Sequence, residues 1–274
     1  MSNFLTVSLG AASGGGGGGG GARLPRIGYD NKGVGATITA TSTATGYDPA
    51  QLFDWKPFTL WTPATSGVHY VTVIPATVSA VNYFAIAQHN LGTNGGSIKL
   101  QYSLNSGGSW LDATTLITPV SDETIWQSFN DISASHWRLE VTSTPASVIG
   151  VVSFGAAYFP YYGALEGFSP TKLARDVEIY AHQSEEGLSL GRSILRRNTK
   201  NSITFNNMHI SDVYTYWLPF IKHAEKKAFF FVWLYEDYPA DVGLVETMEK
   251  IQPPKFSSHE YFTCQLDMIG LLPS

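Results

Sequence analysis

The chain has 274 residues, enough for one large domain or two ordinary ones. Hydrophobic residues make up 43% and charged residues 14%, well below the roughly 25% charge of an average soluble domain, so small polar residues or neighbouring chains must cover the surface. The formal charge of −5 builds no basic field and excludes specific nucleic-acid binding by charge.

The first segment, "SNFLTVSL", alternates as a short strand, with Leu5, Val7 and Leu9 on one face and Phe4 on the other. It has no basic n-region and no long apolar core, so it does not read as a signal peptide. Eight glycines follow, Gly14 to Gly21. Extended, they span about 26–29 Å. A lone strand cannot satisfy its own backbone groups, so residues 1–21 read as an arm that pairs with a sheet, in its own subunit or a neighbour's. Ordering the glycines costs roughly 1–2 kcal/mol each, which packing must recover.

Residues 22–160 are a run of short β-like segments: "GATITATST", "VHYVTVIP", "NYFAIAQHNL", "SIKLQYSL", "HWRLEVTST" and "SVIGVVSFGAAYF". Turn signals such as "GTNGG" and "NSGGS" break them. In "SIKLQYSL", Ile98, Leu100, Tyr102 and Leu104 point one way, and Lys99, Gln101 and Ser103 the other. The expectation is an all-β sandwich of about 140 residues.

Residues 161–274 carry more charge. "ISDVYTYWLPFIKHAEKKAF" is the one clear helix, expected near 211–225 with Ser211 as its N-cap. Val213, Tyr216, Trp217, Phe220, Ile221 and Ala224 share one face, and Pro219 is expected to kink or shorten the helix. "KKAFFFVWLYED" and "HEYFTCQLDMIGL" read as buried strands, and "RRNTK" (196–200) as a basic turn. This half is expected to be a β-sandwich or split barrel with one packed helix, making the chain mainly β with two sandwich domains.

Catalytic and metal motifs are absent. No pair of the seven histidines has metal-ligand spacing, and there is no G-x-S-x-G or P-loop. The expectation is a non-enzyme without a cofactor or metal. Cys264, the single cysteine, reads as a buried small hydrophobe. No stretch approaches the ~20 apolar residues of a membrane helix, so no membrane insertion is expected. Tryptophans on sandwich loops stack on sugars or fill cores. Trp55, Trp61, Trp110 and His89 are therefore candidate glycan or partner contacts, with core packing as the alternative.

The stretch "ATITATSTATGYDPAQLFDWKPFTLWTP", with "LFD" (52–54) and "TLW" (59–61), resembles the discoidin-type, galactose-binding-like jelly roll, in which an Asp and a Trp bracket the first long loop. That resemblance covers about residues 24–160 and implies carbohydrate, lipid or protein binding. The second half, with "LARDVEIYAHQSEEGLSLGRS", one helix, "KKAFFFVWLYEDYP" and "YFTCQLDMIGL", resembles structural proteins of tailed-phage virions, of the distal tail or tail-tip type. The resemblance implies a homo-oligomeric ring in the baseplate, bound to tube, hub and fibre proteins, in a virion tail made in the host cytoplasm. Here the sandwich precedes the ring-forming domain, the reverse of the usual order. A carbohydrate-binding adhesin that meets a host surface glycan, and a capsid cement or connector protein, are the alternatives.

Overall fold

The alternating segments of the first half pair into two sheets in a computed structural model, which describes residues 24–144, 147–160, 168–248 and 250–271. The proposed arm, including Phe4, Leu5, Val7, Leu9, Gly14 and Gly21, lies outside the described residues. In chain order the strands are β1 (Arg26–Gly28), β2 (Thr37–Ala40), β3 (Gly67–Ile74), β4 (Ala80–His89), β5 (Ser97–Ser103), β6 (Leu111–Asp112), β7 (Ile125–Ser133), β8 (His136–Ser143) and β9 (Ile149–Gly155). After them come β10 (Arg175–Gln183), β11 (Ser189–His209), β12 (Phe229–Val232), β13 (Val242–Thr247), β14 (Lys255–Ser258) and β15 (Tyr261–Leu271). The chain is mainly β.

A five-stranded sheet, β2-β3-β8-β5-β6, faces a three-stranded one, β7-β4-β9. Period-2 alternation sends Val71, Val73, Ile98, Leu100, Leu139 and Val141 inward from the first sheet, against Phe84, Ile86, Val152 and Phe154 from the second. Every residue of β9 is buried. Its continuous apolar run has a physical cause: the three-stranded sheet is covered on both faces.

The second cover comes from the rest of the chain. A seven-stranded antiparallel sheet runs β1-β12-β13-β15-β11-β10, with β14 also on β15. Its strand β12, "FFFV", splits its side chains between two cores. Phe229 and Phe231 join the core under the helix, whereas Phe230 and Val232 pack on Tyr83, Ala85, Trp126 and Val151 of the three-stranded sheet. Five-stranded sheet, three-stranded sheet, seven-stranded sheet and helix therefore stack as four layers. Strand β1 falls early in the chain yet pairs with β12, Ile27 opposite Phe231. Gly28 has no room for a side chain, since a Cβ there would sit 2.6 Å from the Trp126 ring.

The helix comprises α1 (Ile210–Asp212), a π turn (Val213–Trp217) and α2 (Leu218–Ala224). It begins one residue before Ser211, and its cap is His209, whose Nδ1 accepts from the Ser211 amide at 3.3 Å. Pro219 neither ends nor breaks it. The π turn directly before it loosens the i→i−4 pattern where a proline ring would otherwise clash. Of the expected face, Val213, Trp217, Phe220, Ile221 and Ala224 are buried. Tyr216 is 45% exposed, because the π turn shifts the phase, and it stacks on Tyr158 with centroids 5.9 Å apart. Cys264 is buried and unpaired in the same core, and burial pushes its thiol pKa up to about 12. No helix among the described residues is long and apolar enough to cross a membrane.

Candidate functional site

Three of the four residues singled out as glycan contacts are core residues. Trp61 is fully buried in the sandwich. Its backbone bridges to Ile149 and its Nε1 donates to Thr43 Oγ1 at 3.2 Å. Asp54, the other bracket of that loop, accepts from Thr59 Oγ1 and the Lys56 amide. The Asp and Trp that carry the jelly-roll resemblance thus staple the loop: the Trp61 ring is sealed in the core, and the part-exposed Asp54 carboxylate is engaged by the loop itself. His89 is 4% exposed. Its Nδ1 accepts from the Leu91 amide at 3.3 Å, and its Nε2 donates to the Glu123 carbonyl at 2.8 Å. Burial lowers its pKa.

Trp55, 3% exposed, is the wedge between the two halves of the chain. Its ring meets His223 edge-on at 5.0 Å and Phe230 at 6.0 Å. Its φ is +66°, a strained value for so bulky a residue, held because the ring fills that junction. Around it, Trp126 stacks on Tyr83 at 4.4 Å, and Arg26 pairs with Glu236 beneath the Tyr235 ring. Lys172 reaches Glu123 at 2.7 Å.

Trp110 is the fourth candidate and lies at the surface, on the outward face of the five-stranded sheet. Adjacent antiparallel strands put Tyr70 opposite Glu140, Lys99 opposite Glu140, Gln101 opposite Arg138 and Gln101 opposite Asp112. All point away from the core, by the alternation that sends Leu100 and Leu139 inward. The Arg138 guanidinium lies between two rings, 4.2 Å from the Tyr70 centroid and 4.3 Å from that of Trp110. Its Nε donates to Gln101 Oε1 at 2.7 Å. The Gln101 amide donates to Asp112 at 2.5 Å, and Lys99 lies 3.2 Å from Asp112 and 3.4 Å from Glu140. The Gln101 hydrogen bond, followed by Lys99 and Arg138, holds the Asp112 carboxyl below its usual pKa in spite of desolvation. Sequence reading missed Tyr70, Arg138, Asp112 and Glu140. The alternation of "SIKLQYSL" carried the signal for Lys99 and Gln101, but only the β5–β8 register brings them beside Arg138.

A second surface feature is the β10–β11 hairpin. Among the described residues, strand β11 pairs with β15 only from Asn198 onward, and residues 176–197 extend beyond that pairing. The reach is about 25–30 Å at ~3.3 Å per residue. Both outer edges are unpaired among the described residues. The basic stretch at 196–200 is not a turn but lies within β11, and the turn falls at 184–188. Ile179, Tyr180, Leu188, Leu190, Ile194 and Leu195 are exposed. Asp176 and Glu178 lie on one strand, and Arg192, Arg196 and Arg197 on the other. The described residues hold no group of three or more His, Cys, Asp or Glu able to bind a metal.

No protein-family model matches the sequence, and no curated protein matches it. Among solved structures, a pectin-binding carbohydrate-binding module is 17% identical, with 44% of this chain and 89% of that one covered and a TM-score of 0.38. CpGH89CBM32-5 from Clostridium perfringens, solved with GalNAc-β-1,3-galactose, is 17% identical over 46% of this chain and 98% of its own, with a TM-score of 0.40. Chitosan-binding module 1 from a chitosanase/glucanase of Paenibacillus sp. IK-5 is 20% identical over 46% and 99%, with a TM-score of 0.40. What this chain is similar to over less than half its length is thus a set of carbohydrate-binding modules.

Proposed function

We propose that the chain is a non-enzymatic assembly subunit: its hairpin joins it to further copies of itself, and its sandwich is carried as a recognition module. The observation that carries this reading is the projecting hairpin. A free two-stranded ribbon is marginal in water, and two open edges invite strand addition. Beyond Arg175 at its base, one edge strand bears Asp176 and Glu178, of which Glu178 lies opposite Arg196 within the hairpin, and the other bears Arg192, Arg196 and Arg197. Copies would therefore meet head to tail, acidic edge against basic edge, a heterologous contact that closes into a ring when the rotation permits. The resemblance of the second half to tail-tip proteins supplies the setting, a ring in a phage baseplate bound to tube, hub and fibre proteins. Light scattering on the purified chain tests it. A closed oligomer is expected, falling to a monomer when Arg192, Arg196 and Arg197 become Glu with thermal unfolding unchanged. An oligomer indifferent to that reversal refutes the hairpin as its interface.

A second reading, compatible with the first, is carbohydrate binding by the sandwich. It is favoured by the outward face bearing Tyr70, Arg138 and Trp110, where flat apolar rings border hydrogen-bonding groups of both kinds. Calorimetry against a saccharide panel tests it, and loss of binding in Trp110→Ala is the expected signature.

A further inference from the structure

We propose that Arg138 is the anion-binding fork of a site for sugars that carry an isolated carboxylate, with Tyr70 and Trp110 as its walls. This rests on the sugar-binding reading and is independent of ring formation.

Three observations carry it. Arg138 is half-buried and cationic, yet it has no ion pair among the described residues. Two carboxylates lie on the same face, and their close contacts are with other groups: Asp112 with Gln101 and Lys99, Glu140 with Lys99, while Arg138 acts on Asp112 only through space and as the last of its influences. A purely structural arginine here would pair with one of them; Lys99 takes both. The second observation is geometry. Stacking on Tyr70 and Trp110, together with the Nε bond to Gln101, fixes the guanidinium plane. The terminal nitrogens make no hydrogen bond within the described residues, which leaves a rigid fork of the shape that takes a carboxylate bidentately. Most of the ordering cost of that side chain is met before a ligand arrives.

The third observation selects the ligand class. Asp112 and Glu140 share the face with the fork, so a densely charged polyanion or an acidic peptide meets like charge there. A pyranose with one carboxylate among hydroxyls does not. Its acid group takes the fork, its hydroxyls donate to Asp112 and Glu140 and accept from Lys99, and its C–H face lies on an aromatic wall.

The test is isothermal titration calorimetry on the full chain with sialyllactose, lactose and an oligoglutamate peptide. Sialyllactose is expected to bind at least about tenfold more tightly than lactose, and oligoglutamate more weakly than sialyllactose. Arg138→Gln is expected to remove about 10- to 100-fold of the sialyllactose affinity, as befits a charged hydrogen-bond pair, and to abolish the preference over lactose. Arg138→Lys keeps the charge without the fork and is expected to lose about tenfold; it also serves if the Gln variant unfolds. Equal affinity for lactose and sialyllactose overturns the proposal and leaves the sugar-binding reading standing. Undiminished binding by both Arg138 variants overturns it as well, as does Arg138-dependent binding of oligoglutamate in preference to sialyllactose. Absence of binding to either saccharide overturns the proposal, and the sugar-binding reading falls with it only when the wider saccharide panel is also negative.

Discussion

Truncating Trp55 tests whether the stacked layers behave as one body. The ring is almost wholly buried between the sandwich and the helix-bearing half, against His223 and Phe230. Burial of a tryptophan side chain removes about 150–250 Å² from water, which at about 25 cal/mol per Å² is about 4–6 kcal/mol. Large-to-small core substitutions lose about 3–5 kcal/mol, and Trp55→Ala is expected in that range. Backbone geometry gives a second, sharper expectation. Position 55 sits at φ +66°, where any residue with a Cβ pays about 1–2 kcal/mol that glycine does not. Trp55→Gly should therefore be more stable than Trp55→Ala by about 1 kcal/mol, although it removes one more carbon. Urea unfolding followed by fluorescence and by far-UV circular dichroism reads both quantities. The wild type should show one transition. The Ala variant should show two separated ones, because the wedge that couples the halves is gone. A near-neutral Trp55→Ala, or a Gly variant clearly less stable than the Ala variant, would refute the reasoning.

Trp217→Ala should destabilise the helix-bearing half by about 3–5 kcal/mol, since the ring is 1% exposed and meets Phe205 and Phe220 edge-on; an equilibrium melt that leaves this half unchanged would count against the core assignment. Cys264 should resist alkylating reagents at pH 8 until the chain unfolds, because burial holds the thiol at a pKa of about 12 and the thiolate is the reactive form. Acid should weaken the fold as pH falls through about 6.5. Burial lowers the pKa of His89 and of His223 in the folded chain, so the unfolded chain binds more protons there and stability rises with pH across that window; a His89→Gln, His223→Gln double variant should flatten the slope between pH 5 and 7, and an unflattened slope would assign it elsewhere. Removal of residues 1–21 should weaken assembly and leave the unfolding of both halves unchanged, as read by light scattering and calorimetry.

Period-2 patterns were legible where one face of a strand meets water, as in "SIKLQYSL" and "HWRLEVTST", except that Leu104, expected on the face of Ile98 and Leu100, falls past the end of β5 and is 69% exposed. They were not where both faces are buried. The runs "SVIGVVSFGAAYF" and "KKAFFFVW" read as strands, yet nothing in either run names the layer on each side. The partition of Phe229 and Phe231 from Phe230 and Val232 depends on a contact between segments far apart in the chain. For the same reason the short "RIG" at 26–28 gave no hint that it would pair with β12 rather than with its nearer neighbours. Tryptophan identity misled in a consistent way. Trp55 and Trp61 sit on one loop by sequence, but that loop folds back onto the sheets, and a large apolar ring on such a loop is the natural anchor for it. Trp110 stayed at the surface because the group it covers, the Arg138 guanidinium, is charged and belongs to the outward face of the sheet.

The layer order bears on how the two proposed activities coexist. The inner sheet has no free face: one side is sealed by the five-stranded sheet and the other by β12 and β13. The faces left for partners are the outermost ones, and the five-stranded sheet has Arg138 on its outward side. The hairpin leaves the body from β11, beyond the point where β15 stops pairing, and β11 is separated from β12 in the seven-stranded sheet by β15 and β13. The hairpin edges themselves include neither Tyr70 nor Trp110. Where the copies in a ring keep their sugar faces open, a surface bearing many ligands would be gripped by many weak sites at once. An affinity too weak to matter in a monomer becomes firm attachment when the sites are linked and can be engaged together. On this argument the hairpin charge reversal should cost more avidity toward a sialylated surface than any single substitution at Trp110 costs in solution affinity. Equal losses would mean that the sites never act together.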